Sequence, residues 1–202
     1  MPIRKVYAKP GQDAISSYDY VDIANGTGVT KFYAHTTALS GATLYYHNLT
    51  TDSSLYSYEI EKVIGNDGMY FNLSPFQKPQ QVRGTALIRF SSQINSGIAA
   101  LYWIVRLYKV ASGGGTTLFG EAVSAVGSGA DPSIDNWVIP ITLTDTHFKR
   151  GESLRLFVLP SGAGGGTKYI GLDPTNRSGT LITPASTYPT KLELFIPFKI
   201  DA

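Results

Sequence analysis

In the run IAALYWIVRLYKV (98 to 110), Trp103, Val105 and Leu107 fall on one side, and Tyr102, Ile104, Arg106 and Tyr108 on the other. A period of two is the signature of a strand, because successive side chains of an extended backbone point to opposite faces. Both sides of this run are largely apolar, so the strand is expected to be central and covered on both faces. Related patterns recur along the chain: YDYVDI (18 to 23), VTKFYA (29 to 34), TLYYH (43 to 47), LYSYEIEK (55 to 62), VRGTALIRFSS (82 to 92), TLFGEAVSAV (117 to 126), WVIPITL (137 to 143), SLRLFVL (153 to 159), TKYIGL (167 to 172) and TKLELFIPFKI (190 to 200). Helical periodicity is nearly absent. Its one candidate is TDTHF (144 to 148), where Thr144 or Asp145 could cap a short turn.

The segments between these runs are rich in turn formers. NGTG (25 to 28) supplies positions for positive φ between two alternating runs, which makes SSYDYVDIANGTGVTKFYA (16 to 34) a hairpin candidate. SPFQKPQQ (74 to 81), with two prolines and three glutamines, interrupts any strand and is the clearest internal boundary. Eight strands follow from about residue 55, the number of a jelly roll. The expected architecture is therefore all-β: an N-terminal arm over 1 to 15, a β-rich segment over 16 to 53, and a jelly-roll β-sandwich over 54 to 202. In the last strand Leu192, Leu194, Ile196 and Phe198 point inward, so the C-terminus is read as structural.

Composition narrows function. The chain of 202 residues carries 17 Lys and Arg against 15 Asp and Glu, a formal net charge of +2, and only 16% charged residues. No basic stripe extends beyond Arg4 and Lys5, which argues against nucleic acid as a partner. There is no Cys, so disulfides, thiolate metal sites and a Cys nucleophile are excluded. No run approaches the ~18 apolar residues of a membrane helix, and MPIRKVYAKPGQ has no signal-peptide core. Folding in the cytoplasm is expected, and the Asn-x-Ser/Thr sequons at Asn25, Asn48, Asn72 and Asn176 are read as turn chemistry.

Catalytic signatures are thin. His35, His47 and His147 have no spacing that would gather a metal, and no G-x-S-x-G elbow is present. The acids Glu59, Glu61, Glu121, Glu152 and Glu193 lie on strands or at strand starts, without a pair that marks a glycosidase groove. The glycine runs at 113 to 115 and 162 to 166 precede no helix and lack the G-K-[ST] ending of a phosphate loop. The expectation from the residues is a chain that is not an enzyme, with no cofactor and no metal. LDPTNRSG (172 to 179) is read as a structural turn, in which Asn176 takes a left-handed conformation and Arg177 pins Asp173 or a partner's carboxylate.

Tyrosine stands out, with 13 residues, more than half of them before residue 60. Such rings serve subunit interfaces, where a rigid apolar body with a polar tip is favoured. They serve equally as stacking platforms for sugars, and in that alternative Tyr18, Tyr20, Tyr45 and Tyr46 form the face of a carbohydrate-binding adsorption module on a head fibre or tail component. The low charge favours the interface.

The same strand and turn patterns, from SSYDYVDIANGTGVTKFYA through LYSYEIEK, VRGTALIRF, WIVRLYKV, ITLTDTHFKRGESLRLFV and YIGLDPTNRSG to LELFIPFKIDA, resemble virion structural proteins of tailed bacteriophages, among them jelly-roll capsid decoration or cement proteins. The resemblance covers most of the chain from about residue 14 and carries over no site residues. It implies a place on the virion, at the outer capsid surface, with the major capsid protein as partner and a homotrimer that clamps neighbouring capsomers. On that reading Arg4, Lys5, Tyr7 and Lys9 of the arm touch the capsid.

Overall fold

The computed structural model describes residues 16–17, 27–38, 45–64, 67–94, 101–127, 133–162, 167–177 and 189–199. Twelve strands are seen among them: β1 (Ser16–Ser17), β2 (Thr27–Ala38), β3 (Tyr45–Thr50), β4 (Glu61–Ile64), β5 (Met69–Leu73), β6 (Gln80–Ile94), β7 (Tyr102–Val110), β8 (Thr116–Val123), β9 (Ser133–Phe148), β10 (Ser153–Ser161), β11 (Lys168–Gly171) and β12 (Glu193–Lys199). Nine of them form a ring in the order β2-β3-β5-β10-β7-β8-β9-β6-β12, closed because β12 pairs with β6 on one side and β2 on the other. β1 extends β2, while β11 and then β4 branch from the far end of β6. All pairings are antiparallel except β3 with β5.

This corrects the expected jelly-roll sandwich. The all-β class stands, but the strands make a closed barrel with a mixed order. A sandwich and a barrel use the same short alternating strands; they differ in whether the last strand hydrogen-bonds on both edges, which alternation does not encode. The strand at β7 is covered on one face only, since Trp103, Val105 and Leu107 are buried while Tyr102, Ile104, Arg106 and Tyr108 stay half-buried on the outside. Two further local expectations also change. TDTHF is the end of β9, where His147 opposes Gln81 and Phe148 opposes Gln80, because pairing with β6 outweighs local turn preference. LYSYEIEK becomes a strand only from Glu61, since Ser57 is spent on side-chain bonds to Thr36.

The interior follows the alternation. Trp103, Val105 and Leu107 of β7, Leu154, Leu156 and Val158 of β10, and Leu194 and Ile196 of β12 are completely buried. Each such side chain contributes about 1.5–3 kcal/mol through removal from water. Phe76, from the segment after β5, meets Phe148 at 5.1 Å and Phe198 at 6.0 Å between ring centroids, packing the segment before β6 against the core. Where β8 meets β9, Gly120 opposes Leu143. A Cβ there would stand 2.9 Å from the Leu143 side chain, so only glycine lets these two strands close.

Candidate functional site: an aromatic and arginine face

The inward residues of β3, β5, β10 and β7 build the core, and their outward neighbours build one continuous surface. Residues directly opposite across strands share a face. Tyr70 opposes Phe157, Phe157 opposes Arg106, and Arg106 opposes Glu121 of β8. The next row runs Asn48, Asn72, Arg155, Tyr108 and Leu118. Tyr46 lies two residues before Asn48, as Tyr70 does before Asn72, so the two tyrosines share this face.

Contacts within the face fix its shape. The Tyr70 ring lies 4.4 Å from that of Phe157 with a 33° tilt, and Phe157, although outward, is only 5% exposed beneath it. Gly68, with φ of 72°, makes room: a Cβ there would come within 2.6 Å of the Phe157 ring. The Arg155 guanidinium sits 5.5 Å from the Tyr70 centroid and donates from Nε to Asn72 Oδ1 at 2.6 Å. Arg106 lies over Phe157 at 5.9 Å and pairs with the Glu121 carboxylate. Tyr46 and Tyr70 stay 57% and 47% exposed, and Leu118 and Val123 are exposed farther along the same outer surface, on β8. Large rings held by guanidinium groups on a rigid sheet are suited to bury a partner at low entropic cost.

Of the residues singled out from the sequence, Tyr46 lies on this face. Tyr45 is in β3, and its side chain is not among those described. Arg4, Lys5, Tyr7, Lys9, Tyr18 and Tyr20 lie outside the described residues. Sequence reasoning missed Tyr70, Arg155 and Phe157; period-two alternation within β5 and β10 marks them as outward, but their neighbours across the strands are set by long-range pairing.

The other polar cluster is the turn after β11. Asp173, with no exposure, accepts bonds from the Thr175 hydroxyl at 2.8 and 2.9 Å and from the backbone N–H and Nε of Arg177, each at 2.8 Å. Arg177 also donates to the Ser57 carbonyl at 2.6 Å and covers the Tyr56 ring at 4.7 Å. Asn176, at φ of 58°, accepts through Oδ1 from the backbone N–H of Thr190 and Lys191. The turn is a staple joining three stretches of chain. Burial alone would raise the Asp173 carboxyl; the bonds from Arg177 and Thr175 outweigh it and hold it below its ordinary value.

Among the described residues no three His, Cys, Asp or Glu side chains are placed to hold a metal. His35 and His47 are each left with one buried ring nitrogen that has no hydrogen-bond partner. Burial lowers both imidazoles; the Lys62 ammonium adds to this at His47, and the Glu59 carboxylate opposes it. An unfolded imidazole therefore binds a proton more readily than these, and stability is lost as pH falls below about 6.5. The melting temperature is expected to be lower near pH ~5 than near pH ~7, with the gap narrowed in His47→Gln. A flat profile across that window would contradict neutral, buried rings.

No protein-family model matches the sequence, and no curated protein matches it. Among solved structures, the fold is similar to that of a CocE/NonD family hydrolase from Staphylococcus aureus, with a TM-score of 0.58 and 13% identity, over 85% of this chain and 37% of the hydrolase. It is also similar to an α-amino acid ester hydrolase, with a TM-score of 0.55 and 11% identity, over 83% of this chain and 36% of that one. The chain spans little more than a third of the length of these enzymes. The VP2 protein of infectious bursal disease virus matches 98% of this chain and 44% of its own at 13% identity, but its TM-score of 0.31 is too low to argue a common fold. The expectation of a chain that is not an enzyme is corrected by the hydrolase likeness. Counts of acids and histidines speak to sites and not to folds, and this fold is one that occurs within hydrolases.

Proposed function

We propose that the chain is a structural protein of a tailed-phage particle, placed on the outer capsid surface, where it binds the major capsid protein and clamps neighbouring capsomers. The observation that carries this reading is the exposed face built on Tyr46, Tyr70, Arg155 and Arg106. A ring of nine strands offers few free edges for strand addition, so association proceeds through side chains on its outer surface. Tyr and Arg are the residue types that dominate such contacts. The low overall charge suits a surface that repeats across a lattice, where many modest contacts add by avidity. A homotrimer suits a lattice symmetry point, and the arm over 1 to 15 supplies further contacts through Arg4, Lys5, Tyr7 and Lys9.

Particles stripped of this protein, mixed with purified chain and pelleted, test the reading. Tyr46→Ala with Tyr70→Ala is expected to weaken binding by about a hundredfold, since each lost anchor costs on the order of 1–2 kcal/mol. Removing residues 1 to 12 is expected to leave a folded protein that no longer decorates particles. Undiminished binding by the double tyrosine variant would remove the face from the reading.

A second reading rests on the hydrolase likeness: the chain is a β-module that works with a hydrolase domain. Turnover of a p-nitrophenyl ester by a hydrolase domain that rises when the purified chain is added to it would replace the first reading with this one.

A further inference from the structure

Along β6 the neighbouring strand changes. From Val82 to Arg89 it is β12, and from Ser92 to Ile94 it is β11. Beside Phe90 and Ser91 the sheet forks, and the outer surface there opens into a groove of about 490 Å³. This is within the range of small-molecule sites and too large for a single inorganic anion to fill. The groove lies on the β9-β6-β12 arc of the ring, apart from the aromatic face, and does not depend on the function proposed for that face.

Its free hydrogen-bonding capacity leans toward donors. The carboxylate of Glu193 is only 8% exposed, and its two oxygens are held by Lys31 Nζ at 3.3 Å and Arg89 Nε at 3.5 Å. The Asn176 carbonyl oxygen is taken by two backbone N–H groups, which also identifies that atom as oxygen. The Asn136 carbonyl oxygen accepts from the Ser91 hydroxyl at 2.7 Å. What these groups leave to a ligand are chiefly donors: the amide NH2 of Asn136, the amide NH2 of Asn176, the outer guanidinium nitrogens of Arg89 and the Lys191 ammonium. Of the charged residues lining the groove, Arg89 and Lys191 are cations and Glu193 is the one carboxylate, which is also paired with Lys31 from outside the lining, so the groove carries net positive charge. Val138, 59% exposed, supplies an apolar wall.

The geometry points to a binding site for an acidic saccharide, a sugar ring bearing a carboxylate. The carboxylate pairs with Arg89 and Lys191, the ring oxygens and hydroxyls accept from the two asparagine amides, and the C–H face of the ring lies on Val138.

Titration calorimetry of the full chain against a glucuronate-containing disaccharide, its uncharged glucose counterpart and inorganic phosphate tests this. Binding of the acidic disaccharide is expected, weakening as salt rises and at least tenfold tighter than that of the neutral sugar. Arg89→Gln, whose side chain is 65% exposed and outside the core, is expected to fold normally and lose at least tenfold in affinity, and Lys191→Gln to lose a smaller factor. Phosphate that binds as tightly as the disaccharide would reduce the groove to a general anion site and overturn the saccharide assignment. No binding of either, or equal binding by Arg89→Gln, would overturn the site itself.

Discussion

Asp173→Ala is expected to lower the unfolding free energy by about 3 kcal/mol, at the lower end of what breaking one side of a buried ion pair costs. The carboxylate has no exposure, and its removal strands the Thr175 hydroxyl and the Arg177 N–H without their acceptor. The guanidinium of Arg177 would lose its charge partner while still held against the Ser57 carbonyl and Tyr56. Its side chain is 34% exposed, and water can take up part of that loss, hence the lower end of the range. Asp173→Asn keeps one acceptor oxygen and should cost less. Because the folded carboxyl is held below its ordinary value, the stability it contributes is present above about pH 4 and is lost as pH falls through the folded value. The Asn variant should therefore show a shallower acid limb. Urea unfolding of the three proteins at neutral pH and near pH ~3 measures both effects. A loss below about 1 kcal/mol for the Ala variant would mean that the turn holds nothing in place.

Ending the chain after Lys191 is expected to abolish folding. The deletion takes Leu194 and Ile196 from the core, together with Leu192 before them. At about 1.5–3 kcal/mol for each buried side chain, that alone rivals the ~5–15 kcal/mol by which a domain is stable. It also unpairs both β2, from Thr27 to Tyr33, and β6, from Val82 to Arg89, leaving two long rows of backbone groups without partners. Near-ultraviolet circular dichroism should lose its signal, and unfolding should lose cooperativity. A truncated chain that still melts sharply would show that the ring does not need β12.

Period-two alternation read correctly which way side chains point: Trp103, Val105 and Leu107 inward on β7, Leu192, Leu194 and Ile196 inward near the end. Turn chemistry was equally legible, since Asn176 is left-handed and Arg177 pins Asp173. What stayed hidden is what depends on distant partners. That β12 bonds to both β2 and β6, and that β3 runs parallel to β5, follow from pairings between stretches far apart in the chain, and nothing local distinguishes them from a sandwich. Ser57 and the tyrosines beside it alternate like a strand, yet Ser57 is buried by its bonds to Thr36 while Tyr56 and Tyr58 face water. The candidate face was half visible for the same reason. Tyr46 could be picked out, but its neighbourhood with Tyr70 and Arg155 appears only once three strands are in register.

Joining Thr27–Tyr33 to Glu193–Lys199 brings together positions separated by most of the chain. Loops of that span close late and slowly, which places the barrel among topologies that fold in milliseconds to seconds. During that delay the slot between β2 and β6 is open to any matching segment, and at high concentration the nearest match is the same segment of another molecule. Crowded refolding should therefore yield intertwined dimers by exchange of this strand, while dilute refolding should yield chains that each close their own ring.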